Sequence, residues 1–67
     1  MKLLFEDSRR KRTVISEKCL DEDHAILLIK QFCKEKAYKI PYIRIIDAGE
    51  YKQFDVGSWS EFFYLED

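Results

Sequence analysis

The side chains of this chain that could do chemistry are one histidine, two cysteines and four serines, and they are widely separated. His24 is the only group that titrates near neutral pH, so acid–base catalysis would depend on it. No serine has a base near it in the sequence that would activate it as a nucleophile. The two isolated glycines do not form a phosphate-binding loop. We therefore expect no enzymatic activity and no cofactor, with His24 serving as a surface or helix-start residue.

A metal site would have to combine His24 with Cys19 and Cys33. His24 and Cys33 are nine positions apart, or about 180° around a helix, so their side chains project from opposite sides. The cysteines also lack the two-residue spacing of zinc and redox motifs. We expect no bound metal and reduced thiols. No apolar run approaches the roughly 20 residues of a membrane span, so we also expect no membrane segment and a cytoplasmic location.

The only run of charge is the basic tetrapeptide Arg9, Arg10, Lys11 and Arg12. Four cations in one loop could contact a phosphate backbone or an acidic partner. The alternative is a solvated loop partly neutralised by nearby carboxylates. The run contains no aromatic residue on which a base could stack, so it lacks one half of the usual single-strand binding site.

Aromatic residues are concentrated at the other end of the chain, where positions 51–67 hold six of the ten. A single small core does not need so many large rings in one segment. Large rigid aromatics near water are frequent anchors of protein contacts. The segment therefore favours an interaction surface.

The apolar pattern predicts strands over residues 2–6 and 12–17, joined by the charged loop as a hairpin. A helix should follow Asp21, because acidic residues come first, lysines come later and apolar residues recur on one face. Pro41 disfavours helical angles at the residue before it, so we expect the helix to end near residues 37–39. Leu27 points away from the apolar face and is either a single exposed leucine or a contact residue.

A second hairpin is predicted over residues 42–47 and 51–56, with Gly49 supplying a positive φ in the turn. Period-two alternation places Ile43 and Ile45 on one face of the first strand, and Phe54 and Val56 on one face of the second. We expect these four residues in the sheet core.

The segment after Gly57 allows two interpretations. Ser58 to Glu61 has the form of a helix capping box, which predicts a short terminal helix. Four large apolar residues then follow in succession, which favours a last strand paired with the preceding one. We favour the strand, which gives the order β-β-α-β-β-β. The expected fold is a single α+β domain of two layers, with one amphipathic helix on one face of an antiparallel sheet of four or five strands.

The string from Asp55 to Phe63 is the most distinctive in the chain. It resembles the carboxyl-terminal ends of small proteins encoded by phages and prophages of Gram-positive bacteria. The resemblance implies a small accessory protein of a bacterial cytoplasm that binds and redirects a host component. It implies no site residues.

The formal charge of −1 and the isoelectric point near 5.8 do not indicate a general nucleic-acid binder. One helix cannot cover a sheet of this size, so an apolar patch should remain on the open face. We expect a non-enzymatic binding or regulatory protein that contacts a protein partner or a second copy of itself. The candidate contact residues are Trp59, Phe62, Tyr64 and Leu27. The alternative is a nucleic-acid-binding protein that uses Arg9 to Arg12.

Overall fold

A computed structural model describes residues 1–67 as one helix and five strands. In chain order these are β1 (Lys2–Glu6), β2 (Arg12–Ser16), α1 (Glu22–Glu35), β3 (Arg44–Asp47), β4 (Tyr51–Asp55) and β5 (Phe62–Glu66). The predicted α+β class, the single helix and the order β-β-α-β-β-β are confirmed. The helix does not have the length and apolar character that crossing a membrane requires.

The five strands form one antiparallel sheet in the order β2-β1-β5-β4-β3. The last strand of the sequence therefore lies at the centre of the sheet. It pairs with β4, as expected, and also with β1, where Leu3 lies opposite Leu65 and Phe5 opposite Phe63. The pairing with β1 joins two hairpins that would otherwise be separate.

The terminal segment is a strand, although one of the two hydrogen bonds of a capping box precedes it. The hydroxyl of Ser58 accepts from the backbone N–H of Glu61 at 3.2 Å. The Glu61 carboxylate accepts from the Ser58 hydroxyl at 3.0 Å instead of from the Ser58 backbone N–H, which a capping box requires. The two residues close a turn here, and the strand that follows gains hydrogen bonds on both sides because it is central in the sheet.

The helix begins where the sequence indicated. The side chain of Asp21 caps it by accepting from the N–H of His24 at 2.8 Å, and His24 Nδ1 in turn accepts from the N–H of Leu20 at 3.0 Å. His24 is thus a helix-start residue. The apolar face of α1, with Ala25, Ile29 and Cys33 fully buried, packs on the sheet.

The helix ends earlier than predicted, at Glu35 instead of residues 37–39. Ala37 adopts a left-handed conformation with φ 59°. The N–H of Tyr38 donates to the carbonyl of Cys33 at 2.8 Å and the N–H of Ala37 to that of Lys34 at 3.2 Å. This is a Schellman motif, which usually has glycine at the left-handed position. Because alanine occupies it, no helix stop signal precedes Pro41 in the chain.

The core lies between the helix and one face of the sheet. Three phenylalanines form the end of the core that is nearest the β1–β2 loop. Ring centroids are 4.8 Å apart for Phe5 and Phe32, 5.1 Å for Phe5 and Phe63, and 5.7 Å for Phe32 and Phe63. Phe54 and Val56 are buried, as expected. Ile43 is only partly buried, and the expectation of a core position for Ile45 was wrong, because 37% of it is exposed. β3 is the outermost strand, and a single helix does not extend far enough to cover it.

Both glycines have a positive φ, 91° at Gly49 and 86° at Gly57, but their surroundings differ. A Cβ at Gly57 would lie 2.6 Å from Cγ of Pro41, whereas one at Gly49 would meet nothing within 4 Å. We predict that Gly49→Ala costs about 1 to 2 kcal/mol of unfolding free energy from the backbone alone. Gly57→Ala should cost about 2 to 4 kcal/mol, because the overlap with Pro41 adds to the backbone strain. Urea denaturation of the two variants measures both values, and equal costs would contradict this account of Gly57.

Candidate interaction surface

The side of the sheet opposite α1 is called the open face, since no other element packs on it. Strand alternation and the pairing registers determine which side chains it carries. Its centre consists of Leu4, Glu6, Phe62, Tyr64, Gln53 and Asp55, with Arg12, Val14, Arg44 and Ile46 on the two outer strands. Phe62 and Tyr64, two of the candidate contact residues, lie on this side of the sheet.

A cluster of Glu6, Arg12 and Tyr64 covers much of this face. Arg12 Nε lies 3.1 Å from Glu6 Oε1, and its guanidinium carbon lies 4.5 Å from the centroid of the Tyr64 ring. The Tyr64 hydroxyl donates to Glu6 Oε2 at 3.4 Å. The hydrogen bond to Glu6 raises the pKa of the Arg12 guanidinium. Tyr64 is therefore only 9% exposed, and its ring is not available as a contact anchor in the way the sequence suggested.

The basic run divides into two parts. Arg12 lies on β2 and is committed to Glu6, with Glu66 at 4.0 Å. Arg9, Arg10 and Lys11 lie in the β1–β2 loop, are exposed and form no ion pair. The carboxylate of Asp7 shapes this loop by accepting from the N–H of Arg9 at 2.8 Å and of Lys11 at 3.0 Å. Three cations, instead of four, are thus free to meet a partner.

Trp59 is fully exposed, and it lies at the same end of the sheet as the basic loop. Glu6, the last residue of β1, pairs with Phe62, the first residue of β5, so the loops beside them are neighbours. Trp59 and Arg10 line one cavity of about 330 Å³ on the open face. The structure therefore places an aromatic ring next to the cations, although the two are far apart in the sequence.

A second cavity of about 390 Å³ lies on the β3 side of Trp59 and Phe62. Tyr42 and Arg44 form part of its lining. The Asp55 carboxylate below it accepts from Arg44 at 2.9 Å and from the N–H of Gly57 at 2.9 Å. The same carboxylate thus fixes both Arg44 and the turn that leads to Trp59.

The free charge at this end of the open face is positive. Glu6 is paired with Arg12 and Asp55 with Arg44. The carboxylates of Asp7 and Glu61 accept hydrogen bonds only from neutral groups and so keep their negative charge, but the three cations of the β1–β2 loop outnumber them. An approaching molecule therefore meets an exposed indole beside a net positive loop, and we call this region (Trp59, Arg9, Arg10, Lys11 and Tyr42) the Trp59 surface.

Leu27 does not belong to the Trp59 surface. It is 66% exposed, but it lies on α1, on the other side of the sheet. A partner that contacts Trp59 on the open face does not reach it. The structure thus separates Leu27 from the other three residues predicted with it.

The two cysteines lie in the core and the histidine lies at the helix start. Cys19 and Cys33 are both free and buried, and burial raises the pKa of the Cys33 thiol, with the charge of Glu61 adding to the effect. His24 is occupied with the helix start. No three side chains of the histidine, cysteine, aspartate and glutamate types are grouped to hold a metal ion.

Comparison with known proteins gives no further guidance: no family model, no curated protein and no solved structure matches this chain. The Trp59 surface must therefore be interpreted from its own geometry. Sequence reasoning found Trp59 and the loop cations, but neither Tyr42 nor the proximity of these residues. The missing signal was the pairing of β5 with β1, which brings the two loops together.

Tyr64 offers a pH test of the cluster on the open face. Burial raises the pKa of its phenol, and the negative charge of Glu6 raises it further. The stability that the neutral phenol contributes should be fully present below about pH 10, the ordinary tyrosine pKa, and lost as the pH rises through the raised pKa. In a phenolate absorbance titration, Tyr64→Phe should remove the step at highest pH. Tyr42→Phe, which removes an exposed phenol, should leave that step in place, and the opposite pattern would show that Tyr64 is not the shielded group.

Proposed function

We propose that this chain is a non-enzymatic binding protein that uses the Trp59 surface to contact a protein partner with an acidic segment. The observation that carries the proposal is Trp59 itself, a fully exposed indole at the end of an aromatic sheet face. The ring contributes nothing to the core. A large apolar side chain in this position gains free energy only when a second molecule covers it.

Hydrogen bonds on both sides of Trp59 fix the backbone of its loop, which supports a binding role. The Ser58 hydroxyl accepts from the N–H of Ser60 at 3.4 Å and of Glu61 at 3.2 Å, and Asp55 accepts from the N–H of Gly57. These bonds hold the chain on both sides of the indole. An anchor that is already positioned loses little entropy on binding, which favours affinity.

The cations beside Trp59 favour an acidic partner. Arg9, Arg10 and Lys11 lie in a loop shaped by Asp7, form no ion pair, and outnumber the single carboxylate in that loop. Unpaired charge around an apolar anchor gives specificity and speeds association more than it adds affinity. An acidic segment with one apolar side chain for the indole fits both features.

The cellular setting is a further part of the proposal. The carboxyl-terminal string that resembles phage and prophage proteins supports an accessory protein that acts in a bacterial cytoplasm. The partner would then be a host protein that this chain regulates by occupying an acidic surface.

We predict that replacing Trp59 removes partner binding without affecting the fold. The tagged chain should retain a specific protein from a bacterial lysate, and Trp59→Ala should lose it while its unfolding midpoint stays unchanged. Leu27→Ala is the matched control, because it removes another exposed apolar side chain on the far side of the molecule. Trp59 is the only tryptophan, so a purified partner should also shift its emission to shorter wavelength. Equal retention by the two variants would refute a role for Trp59.

Single-stranded nucleic acid is the second candidate, and the proximity of Arg10 to Trp59 favours it. The structure provides the aromatic ring that the basic run lacks in sequence, and Tyr42 lies on the other side of that ring. Against it, the chain carries a net charge of −1, the Tyr64 ring is buried and the Phe62 ring is partly buried. We rank it below a protein partner for these reasons.

Salt dependence distinguishes the two candidates. If the chain binds single strands, the emission of Trp59 should be quenched by an oligonucleotide at low salt. With three phosphates neutralised, the logarithm of the affinity should fall with a slope of about −2 against the logarithm of salt concentration. Replacing Arg9, Arg10 and Lys11 together by glutamine should remove the binding, whereas Lys30→Gln on the helix should not. Unchanged emission at low salt would eliminate this candidate.

A further inference from the structure

The outer edge of β3 has no strand beside it, although the backbone there is extended and exposed. β3 is the last strand of the sheet, and all four of its residues are exposed. The N–H of Ala48 donates to the carbonyl of Tyr51 at 3.0 Å and closes a two-residue turn. In an antiparallel hairpin, hydrogen-bonded and non-hydrogen-bonded residue pairs alternate along the strands from the turn onward. Ile46 and Arg44 therefore bond inward to β4, while Ile45 and Asp47 direct their backbone groups outward.

The other edge of the sheet is better protected against strand addition. β2 has an irregular register where it pairs with Leu3 and Leu4. Bulges of this kind are a usual device for preventing edge-to-edge pairing. β3 pairs with β4 in an uninterrupted register from Arg44 to Asp47 and has no such device.

Apolar side chains are exposed on both faces of β3. Ile46 is exposed on the open face, and Ile45 is exposed on the helix side. A cavity of about 480 Å³ is lined by Ile26, Lys30 and Ile43, among others. A strand added to this edge would cover apolar surface above and below the sheet while it satisfied the outward backbone groups.

We propose that β3 pairs with β3 of a second copy of this chain, in antiparallel orientation, so that two sheets join into one of ten strands. The two-fold axis of such a pair is perpendicular to the sheet. Two residues that lie opposite each other across the β3–β3 pair must therefore point to the same side of the sheet. The register is then centred on Ile45 or on Ile46. In the register centred on Ile45, the backbone N–H and C=O of Ile45 in one copy bond to those of Ile45 in the other. The same register places Asp47 opposite Ile43 of the second copy.

Charge favours the register centred on Ile45. Asp47 lies on the helix side of the sheet, because it pairs with Lys52, which contacts Glu22 at the start of α1. Opposite Ile43 its carboxylate comes beside the cavity that Lys30 lines, and Lys30 has no ion pair within its own chain. Symmetry provides this contact twice. Centring on Ile46 would place Asp47 opposite Ile45 and away from Lys30, so the carboxylate would keep only the Gly49 N–H and the nearby Lys52 of its own chain.

A second copy fits this edge because the edge is complementary to itself: isoleucine meets isoleucine and each Asp47 meets a Lys30. The strand is short, so we expect a dimer in exchange with monomer in the micromolar range, as for small interfaces. The surface is distinct from the Trp59 surface, and each of the two proposals can fail without the other.

Hydrogen exchange and sedimentation test the pairing in the unmodified chain. The mass from sedimentation equilibrium should rise from monomer toward dimer as concentration increases. The amides of Ile45 and Asp47 should become protected over the same range, whereas the outward amides of β2 should not. A monomer at every concentration, or a dimer in which Ile45 and Asp47 exchange freely, overturns the proposal.

Substitutions on the two edges provide the matched comparison. Ile45→Lys places two ammonium groups against each other at the axis and should abolish the dimer. Val14→Lys introduces the same charge at a similarly exposed residue of β2 and should leave it intact. Mixing Ile45→Lys with Ile45→Glu should restore a dimer of the two variants. Circular dichroism checks that each variant is folded. Loss of the dimer in Val14→Lys or Trp59→Ala, with retention in Ile45→Lys, would assign self-association to another surface.

Discussion

The position of β5 at the centre of the sheet is the constraint on which the rest of the structure depends. β1 and β2 form one hairpin and β3 and β4 another, and only β5 pairs with both. Its side chains alternate between the two faces of the sheet. Phe63 and Leu65 complete the core under the helix. Phe62 and Tyr64 form the middle of the open face. The two ends of the chain must therefore meet before either face is complete. That closure costs chain entropy, which the contacts on both faces offset.

What the sequence predicted well was local. The strands, the start of the helix at Asp21 and the turn at Gly49 each follow from residues within a few positions of one another. The end of the helix was missed because Ala37 occupies a left-handed position with no glycine to mark it. The exposure of Ile45 was missed for another reason, since it follows from the outermost position of β3 in the sheet. Periodicity within a strand carries no information about strand order.

Strand order, which the local pattern does not show, also decides which aromatic residues at the end of the chain are exposed. As a set of six rings it suggested a broad contact surface. The structure assigns Phe54 and Phe63 to the core, and Arg12 covers Tyr64 on the open face. Trp59 is the ring that no packing requirement explains. The proposed contact surface therefore depends on one side chain, Trp59, and on the charges that the fold brings beside it.

The Trp59 surface and the β3 edge are adjacent, and this gives the two proposals a joint consequence. Tyr42 lines both the cavity beside Trp59 and the cavity beside Ile43, so it lies between the two surfaces. A two-fold axis perpendicular to the sheet keeps the open faces of both copies on one side. The dimer would therefore present two Trp59 surfaces in the same direction. A partner with two acidic segments would be bound at both, and its second contact would form at a high effective concentration. For a domain this small, with a single exposed indole per copy, dimerisation is thus a physical route from weak individual contacts to strong binding.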